Sequence, residues 1–300
     1  MDPMVIAFGF GVGILIGLTG IGGGSLMTPL LVLFAGVPPV VAIGTDLAYG
    51  AVTKTLGGWR HLRKGTVDLG VSKWLAVGSV PGALVGVWLL GVLHRAYGKS
   101  FEPTLLIAIA IALLIVALTV LGRALFMPKL VARERHRVEQ TRCTMVTAVA
   151  IGAFLGLILG VTSVGSGALI GLALILVFKL TPHRVVGTDV FHAAILLWAA
   201  GLAHIASGNV DFLLMATILV GSLPGVVVGT ALITKVPSGA LRPALGCVLL
   251  GSALGVLSKA GVAVPPAALV GLPLTCGVFA WQLQRGRRRR TPTEAEAVPA

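Results

Sequence analysis

The chain has 300 residues, of which 56% are hydrophobic and only 11% charged, with a mean hydropathy of +1.01. Soluble domains carry about 25% charged residues, so this composition excludes a water-soluble globular protein and points to one embedded in lipid. The net charge of +13 does not argue for nucleic acid, because the basic residues fall in loops and in the tail, where membrane proteins collect Lys and Arg on the cytoplasmic side.

Taken in chain order, the start Met1-Asp2-Pro3-Met4 lacks the basic region of a signal peptide, and the first apolar segment is read as retained. That segment, 4–36, is too long for one straight span, marginal for two, and broken by Gly20 to Gly24. Apolar runs of about 20 residues read as membrane helices; they follow at 39–59, 69–93 and 103–126. A basic stretch leads to a second broken segment at 144–178, then to spans at 182–203, 210–234 and 241–258. A last span at 262–283 has no counterpart in the first half, and a basic tail ends the chain. The expected organisation is a first transmembrane repeat at 1–126, a cytoplasmic linker at 127–143 and a second repeat at 144–258. An appended helix at 259–284 and a disordered tail at 285–300 complete it.

The two halves match at an offset of 143. Thr19-Gly20-Ile21-Gly22-Gly23-Gly24-Ser25-Leu26 returns as Thr162-Ser163-Val164-Gly165-Ser166-Gly167-Ala168-Leu169. Gly44-Thr45-Asp46 returns as Gly187-Thr188-Asp189, and Gly65, Val67 and Asp68 return as Gly208, Val210 and Asp211. Ser79, Pro81, Gly82 and Gly86 return as Ser222, Pro224, Gly225 and Gly229. An apolar chain built from two copies, each with a glycine-rich break, is the pattern of a secondary transporter. Each broken segment is either one discontinuous helix or a re-entrant hairpin of two half-helices. The hairpin choice puts nearly all basic residues, from Arg60 to the Arg287–Arg290 run, on one side and leaves Arg95, Lys99 and Lys259 on the other. It leaves three full spans per repeat, an odd number, so the copies are inverted. The fold expected is an all-α integral membrane protein of two tandem inverted repeats plus one C-terminal helix.

Irregular backbone at membrane depth is tolerated only inside protein or around a wet cavity. Glycine lets a ligand approach the backbone, and a helix restarting after the break presents free N–H groups and a positive dipole end to an anion. The candidate substrate-binding residues are therefore Thr19, Gly22, Gly23, Gly24, Ser25 and Thr45 in the first half. Thr162, Ser163, Gly165, Ser166, Gly167 and Thr188 are those of the second. The competing reading is that these glycines only permit close helix packing, like Gly9, Gly13 and Gly17. No Lys-Ser or Lys-Thr follows the glycines, which excludes a nucleotide P-loop.

Asp46 and Asp189 alone among the acidic residues lie well inside apolar spans, at matching positions. Intramembrane ionisable groups are functional candidates, and these two are candidates for coupling a proton or for bracing the broken backbone. Lys54, two turns beyond Asp46 on the same face, either shares its cavity or reaches toward the interface. His192, three residues after Asp189, is expected as its helix neighbour. Asp68 and Asp211 read as helix caps. Ser79-Val80-Pro81-Gly82 and its copy read as kinked, closely packed helix. Cys143, Cys247 and Cys276 have no paired spacing, and no metal, cofactor or catalytic cluster is expected.

This ordered set of motifs in both halves, over about residues 4–258, resembles the sulfite exporter TauE/SafE family. The resemblance implies an inner-membrane permease for small sulfur-containing anions such as sulfite, thiosulfate or organosulfonates, driven by an ion gradient. It implies a small anion and the lipid bilayer as partners, with a proton or sodium as coupling ion, while the charge distribution places the C-terminal tail in the cytoplasm. A homodimer is left open. An anion channel, or an ion-coupled carrier of another small anion or cation, is the alternative.

Overall fold

The computed structural model describes residues 3–19, 24–126, 138–232 and 238–290. Eleven α-helices make up the described chain, joined by short turns. They are α1 (Pro3–Thr19), α2 (Gly24–Leu33), α3 (Pro39–Arg63), α4 (Leu69–Tyr97), α5 (Glu102–Phe126) and α6 (Arg142–Thr162), then α7 (Leu169–Leu176), α8 (Pro182–Ala206), α9 (Phe212–Leu232), α10 (Ser238–Lys259) and α11 (Pro266–Arg290). Every span expected from the sequence is a helix over its described residues, the second long apolar segment is broken between α6 and α7, and the expected first break, at residues 20–23, lies outside the described residues. The last helix runs through Arg290, six residues into the stretch expected to be a disordered tail.

Local chemistry sets the boundaries. α3 and α8 each begin on a proline, which needs no N–H partner in a first turn. Gly65 and Gly208 follow with φ of 65° and 72°, conformations that favour glycine and that turn the chain sharply. Asp68 and Asp211 then cap α4 and α9, accepting from the N–H of Val71 at 3.1 Å and of Leu214 at 2.9 Å. Both aspartates thus act as the sequence indicates. Leucine-, valine- and alanine-rich stretches carry the helices onward, and Pro81 and Pro224 sit within α4 and α9 without ending them.

Glycines decide which helices touch. On α1, Gly9, Gly13 and Gly17 lie against Ile218, Ser222 and Gly229 of α9. On α6, Gly152, Gly156 and Gly160 lie against Leu75, Ser79 and Ala83 of α4. A methyl group at Gly13 or Gly156 would strike the partner's backbone carbonyl. Such close approach lets dispersion and backbone contacts hold helices together in lipid, where no hydrophobic gain is available. The numbers rise together along both pairs, so each pair is parallel. α3 and α8 instead run antiparallel, with Gly44 against Asn209, Gly50 against Leu197 and Gly57 against Val190. Trp198 Nε1 donates to Thr55 Oγ1 across this pair at 2.8 Å. α5 packs on α10, and α10 on α11.

These contacts fix helix directions. α9 starts beside Thr45, whose hydroxyl accepts from the Asp211 N–H at 3.1 Å, and brings Ser222 to Tyr49, so it runs with α3. α1 runs with α9 and hence with α3, so the chain doubles back between α1 and α3, and α2 lies on that return. In the same way α4 starts beside Thr188 and brings Ser79 to His192, so it runs with α8. α6 runs with α4, and the chain doubles back between α6 and α8 through α7. At one end of the bundle the α3–α4 turn meets the start of α8, where Arg184 donates to the Val67 carbonyl at 3.4 Å.

Among the described residues, four helical stretches are long and apolar enough to cross a membrane: Leu69–Arg123, Arg142–Thr162, Pro182–Ala206 and Phe212–Leu232. Large apolar side chains such as Leu118, Val146, Phe154 and Val227 face outward and are exposed. In water a surface of this kind would drive association; in a bilayer it is solvated by acyl chains. α3 reverses the pattern, burying Thr45, Asp46 and Lys54 at the centre of the bundle.

Candidate functional site

The second glycine break can be followed atom by atom. α6 ends at Thr162, whose hydroxyl donates back to the Ile158 carbonyl at 2.7 Å and accepts from the Val164 N–H at 3.2 Å. Ser163 turns into the left-handed region at φ 60°, and Gly165 and Gly167 follow at φ 123° and 101°. Those last two angles suit glycine, and they explain why the break carries glycine at both positions. α7 then resumes at Leu169. Ser166 is buried, and its hydroxyl has no hydrogen-bond partner. In the first break, Gly22 and Gly23 lie outside the described residues, as does the side chain of Thr19. Gly24 is the first residue of α2, and the Ser25 hydroxyl is buried without a partner.

The two aspartates sit about two turns into α3 and α8, 1% and 4% exposed. Asp46 Oδ2 accepts from the Thr28 hydroxyl of α2 at 2.6 Å and from the Ser163 hydroxyl at 2.8 Å. One carboxylate thereby joins α2, α3 and the break that follows α6. Asp189 has different company. It accepts from the Gly167 N–H at the break before α7, and it lies in electrostatic range of Lys54 on α3 and Arg123 on α5. Lys54 is 7% exposed, and its ammonium makes no hydrogen bond. The Arg123 guanidinium lies next to Gly171 of α7. One oxygen of each aspartate, Oδ1, is buried without a partner.

Further polar groups lie on α3 and α8 and on the helices packed against them. Ser79 and His192 Nε2 are 3.2 Å apart, and the Ser222 hydroxyl faces the phenol of Tyr49. His204 is buried, with its ring against Gly44 and Nε2 3.4 Å from the Gly160 carbonyl. Leaving a buried polar group unpaired costs about 1–3 kcal/mol, and such groups call for an explanation. A groove of about 660 Å³ opens elsewhere, between α4 and α8, and is lined mainly by apolar residues such as Val77, Val80 and Ile195.

Several expectations change in detail. Lys54, expected either to share the cavity of Asp46 or to reach toward the interface, lies in electrostatic range of Asp189 across the antiparallel pair of α3 and α8. His192 turns to Ser79. Thr45 and Thr188, expected as donors to a ligand, accept hydrogen bonds from the N–H groups of Asp211 and Asp68, at 3.1 Å and 2.8 Å. Ser79 and Ser222, taken only as packing residues, face polar partners. Thr28, Tyr49 and Arg123 were not singled out. For Tyr49 a signal existed, since the offset of 143 maps it onto His192 as it maps Ser79 onto Ser222.

Residues 5–256 match the sulfite exporter TauE/SafE family. "Probable membrane transporter protein YjnA" of Bacillus subtilis (strain 168) is 36% identical over 259 residues, covering 86% of this chain and 100% of the relative. "Probable membrane transporter protein YdhB" of the same organism is 29% identical over 245 residues, covering 81% and 94%. A "Probable membrane transporter protein" of Haemophilus influenzae is 24% identical over 229 residues, covering 74% and 82%. No solved structure matches the chain. With family, relatives and lipid-facing helices in agreement, this chain is a multi-pass membrane transporter rather than an enzyme, and it belongs to the sulfite exporter TauE/SafE family.

Proposed function

We propose that this protein is a secondary transporter that exports small sulfur-containing oxyanions, such as sulfite or organosulfonates, across the bacterial cytoplasmic membrane by alternating access. The observation that carries the reading lies at the second break, where the Gly167 N–H, Lys54 and Arg123 come within range of Asp189. Two cations and a broken helix end suit an anion far better than a metal ion. The sulfur oxyanion itself follows from the family. The helix directions support two inverted repeats, because α1 and α3 run together, α6 and α8 run together, and α3 opposes α8. In this reading α1–α2 and α6–α7 are re-entrant hairpins, and the remaining helices of each repeat span the bilayer. The end where the α3–α4 turn meets Arg184 faces the cytoplasm, because it gathers Arg60, Arg63, Lys64 and Arg142. Export of a divalent anion against a negative interior is favoured by about 2.3 kcal/mol per charge per 100 mV. A carrier of this kind needs little other drive.

Counterflow tests the reading. Purified protein in liposomes preloaded with unlabelled sulfite takes up labelled sulfite with saturation, and liposomes preloaded with chloride do not. Equal uptake under both preloads, or current that rises with voltage without saturating, turns the reading toward a channel. Absence of counterflow with sulfite, thiosulfate and sulfoacetate removes the substrate.

A further inference from the structure

The carboxylate of Asp189 occupies the place where an anion is expected. It takes the Gly167 N–H in the break two residues before the eight-residue helix α7, and it lies in electrostatic range of Lys54 and Arg123. The Lys54 ammonium is buried and unpartnered, and so is the hydroxyl of Ser166, the residue before Gly167 in the break. The matching aspartate is held by neutral hydroxyls from two other elements. We propose that Asp189 is a resident counter-anion that the transported oxyanion displaces once a proton has neutralised it, so that one proton travels with each anion, whereas Asp46 is a fixed brace.

This deepens the anion-carrier reading and rests on it. Charge accounting favours the exchange. At rest, two cations face one carboxylate. With the anion bound, they face a divalent oxyanion while the carboxyl is neutral, so the buried zone balances. The Gly167 N–H and the Ser166 hydroxyl then serve the substrate. The proton enters from the solution to which the site is open, stays on Asp189 while the anion is held, and leaves on the other side when the anion departs. The carboxylate then reoccupies its seat. Net movement per cycle is one negative charge for a dianion, and voltage still favours its exit.

The charged and titratable groups facing Asp189 come from several elements. α3 brings Lys54, and Asp46 sits on the same helix but is bound to Thr28 and Ser163. α5 brings Arg123, and α8 itself carries His192, which is turned to Ser79. Asp68 caps α4 one residue away from the site, through its N–H on Thr188. α7 contributes no titratable side chain. Of these, Lys54, whose ammonium has no hydrogen bond, is the group that a neutral Asp189 releases.

Thiosulfate is the suitable probe, because it stays a dianion from pH 5 to pH 8 and does not titrate along with the protein. Thiosulfate counterflow by the wild type falls as pH rises, about tenfold per unit on its steep limb, as for a one-proton linkage. Asp189→Asn retains counterflow and loses that slope, Asp189→Glu keeps it, and Asp46→Asn keeps it. A wild-type slope in Asp189→Asn, or a flat profile in Asp46→Asn, overturns the proposal. A second measurement does not depend on any substrate. Lys54→Met lowers the unfolding temperature in detergent, and adding Asp189→Asn restores it, whereas adding Asp46→Asn does not. Absence of that rescue overturns the counter-anion pairing whatever the protein carries. Failure of wild-type counterflow despite the rescue overturns the anion-carrier reading and leaves the pairing established.

Discussion

Asp46 and Asp189 stand 143 residues apart at the same depth of two antiparallel helices, and each has one buried oxygen without a partner. Their surroundings differ in kind. Asp46 is fastened by hydroxyls from α2 and from the turn after α6, three separate pieces of chain held by one group. Asp189 takes the backbone N–H of Gly167 and lies in range of the cationic side chains of Lys54 and Arg123. Hydroxyl donors fix geometry, since each bond has a direction and a length. Long cationic side chains supply potential and can follow a charge that moves. On the proposal above, the two matching motifs serve as one joint and one exchangeable site, and the difference lies in their partners, because both carry an aspartate.

The contrast can be broken experimentally. The largest effect is expected for Asp46→Ala, which strips two buried hydroxyls of their acceptor. Bonds to charged groups contribute about 1.5–3 kcal/mol each, so the loss is about 3 kcal/mol or more. It is read as a lower unfolding temperature and a smaller monodisperse fraction after detergent extraction. Asp189→Ala should cost clearly less, and equal losses would end the distinction. Next comes Arg123→Gln, which should raise the thiosulfate concentration for half-maximal counterflow about tenfold, equivalent to about 1.4 kcal/mol of binding. Thr28→Val should leave that concentration within about twofold while lowering stability. Ser163→Ala should cost about 2 kcal/mol through its lost bond to Asp46. Ser163→Asn should be milder, because Asn tolerates the left-handed backbone at this position. The smallest effects belong to Thr45→Val and Thr188→Val, about 1 kcal/mol each. They should be equal, because both hydroxyls accept one loop N–H in the same way. Unequal losses would show that the two halves differ at the helix joints as well.

Much of this was written in the one-dimensional pattern. Hydropathy located the helices, because lipid imposes long apolar runs. The glycines of the second break adopt positive φ, where the sequence puts the chain's irregular stretch. Asp46 and Asp189 stood out because a carboxylate is rare in such runs. What could not be read was pairing across space. Lys54 and Asp46 share a helix face, so periodicity links them. Only the antiparallel approach of α3 and α8, set by Gly50, Gly57 and Gly58, brings Lys54 to Asp189. Arg123 lies near the end of a span, a place where arginine usually reaches for water. Nothing in the local sequence distinguishes it from an interfacial residue. Thr28 is one threonine on a short helix, and its role needs the fold of α2 back onto α3.

The glycine faces of α1 also bear on how the protein is made. Gly9, Gly13 and Gly17 find their partners on α9, which leaves the ribosome only after most of the chain has been synthesised. At about 5–20 residues per second, α1 waits on the order of ten seconds or longer in the bilayer with its contact surface open. α6 meets a partner already inserted, because α4 precedes it. The nascent protein is thus vulnerable at its beginning, where a neighbouring chain, an insertion factor or a degradative protease reaches α1 before α9 does.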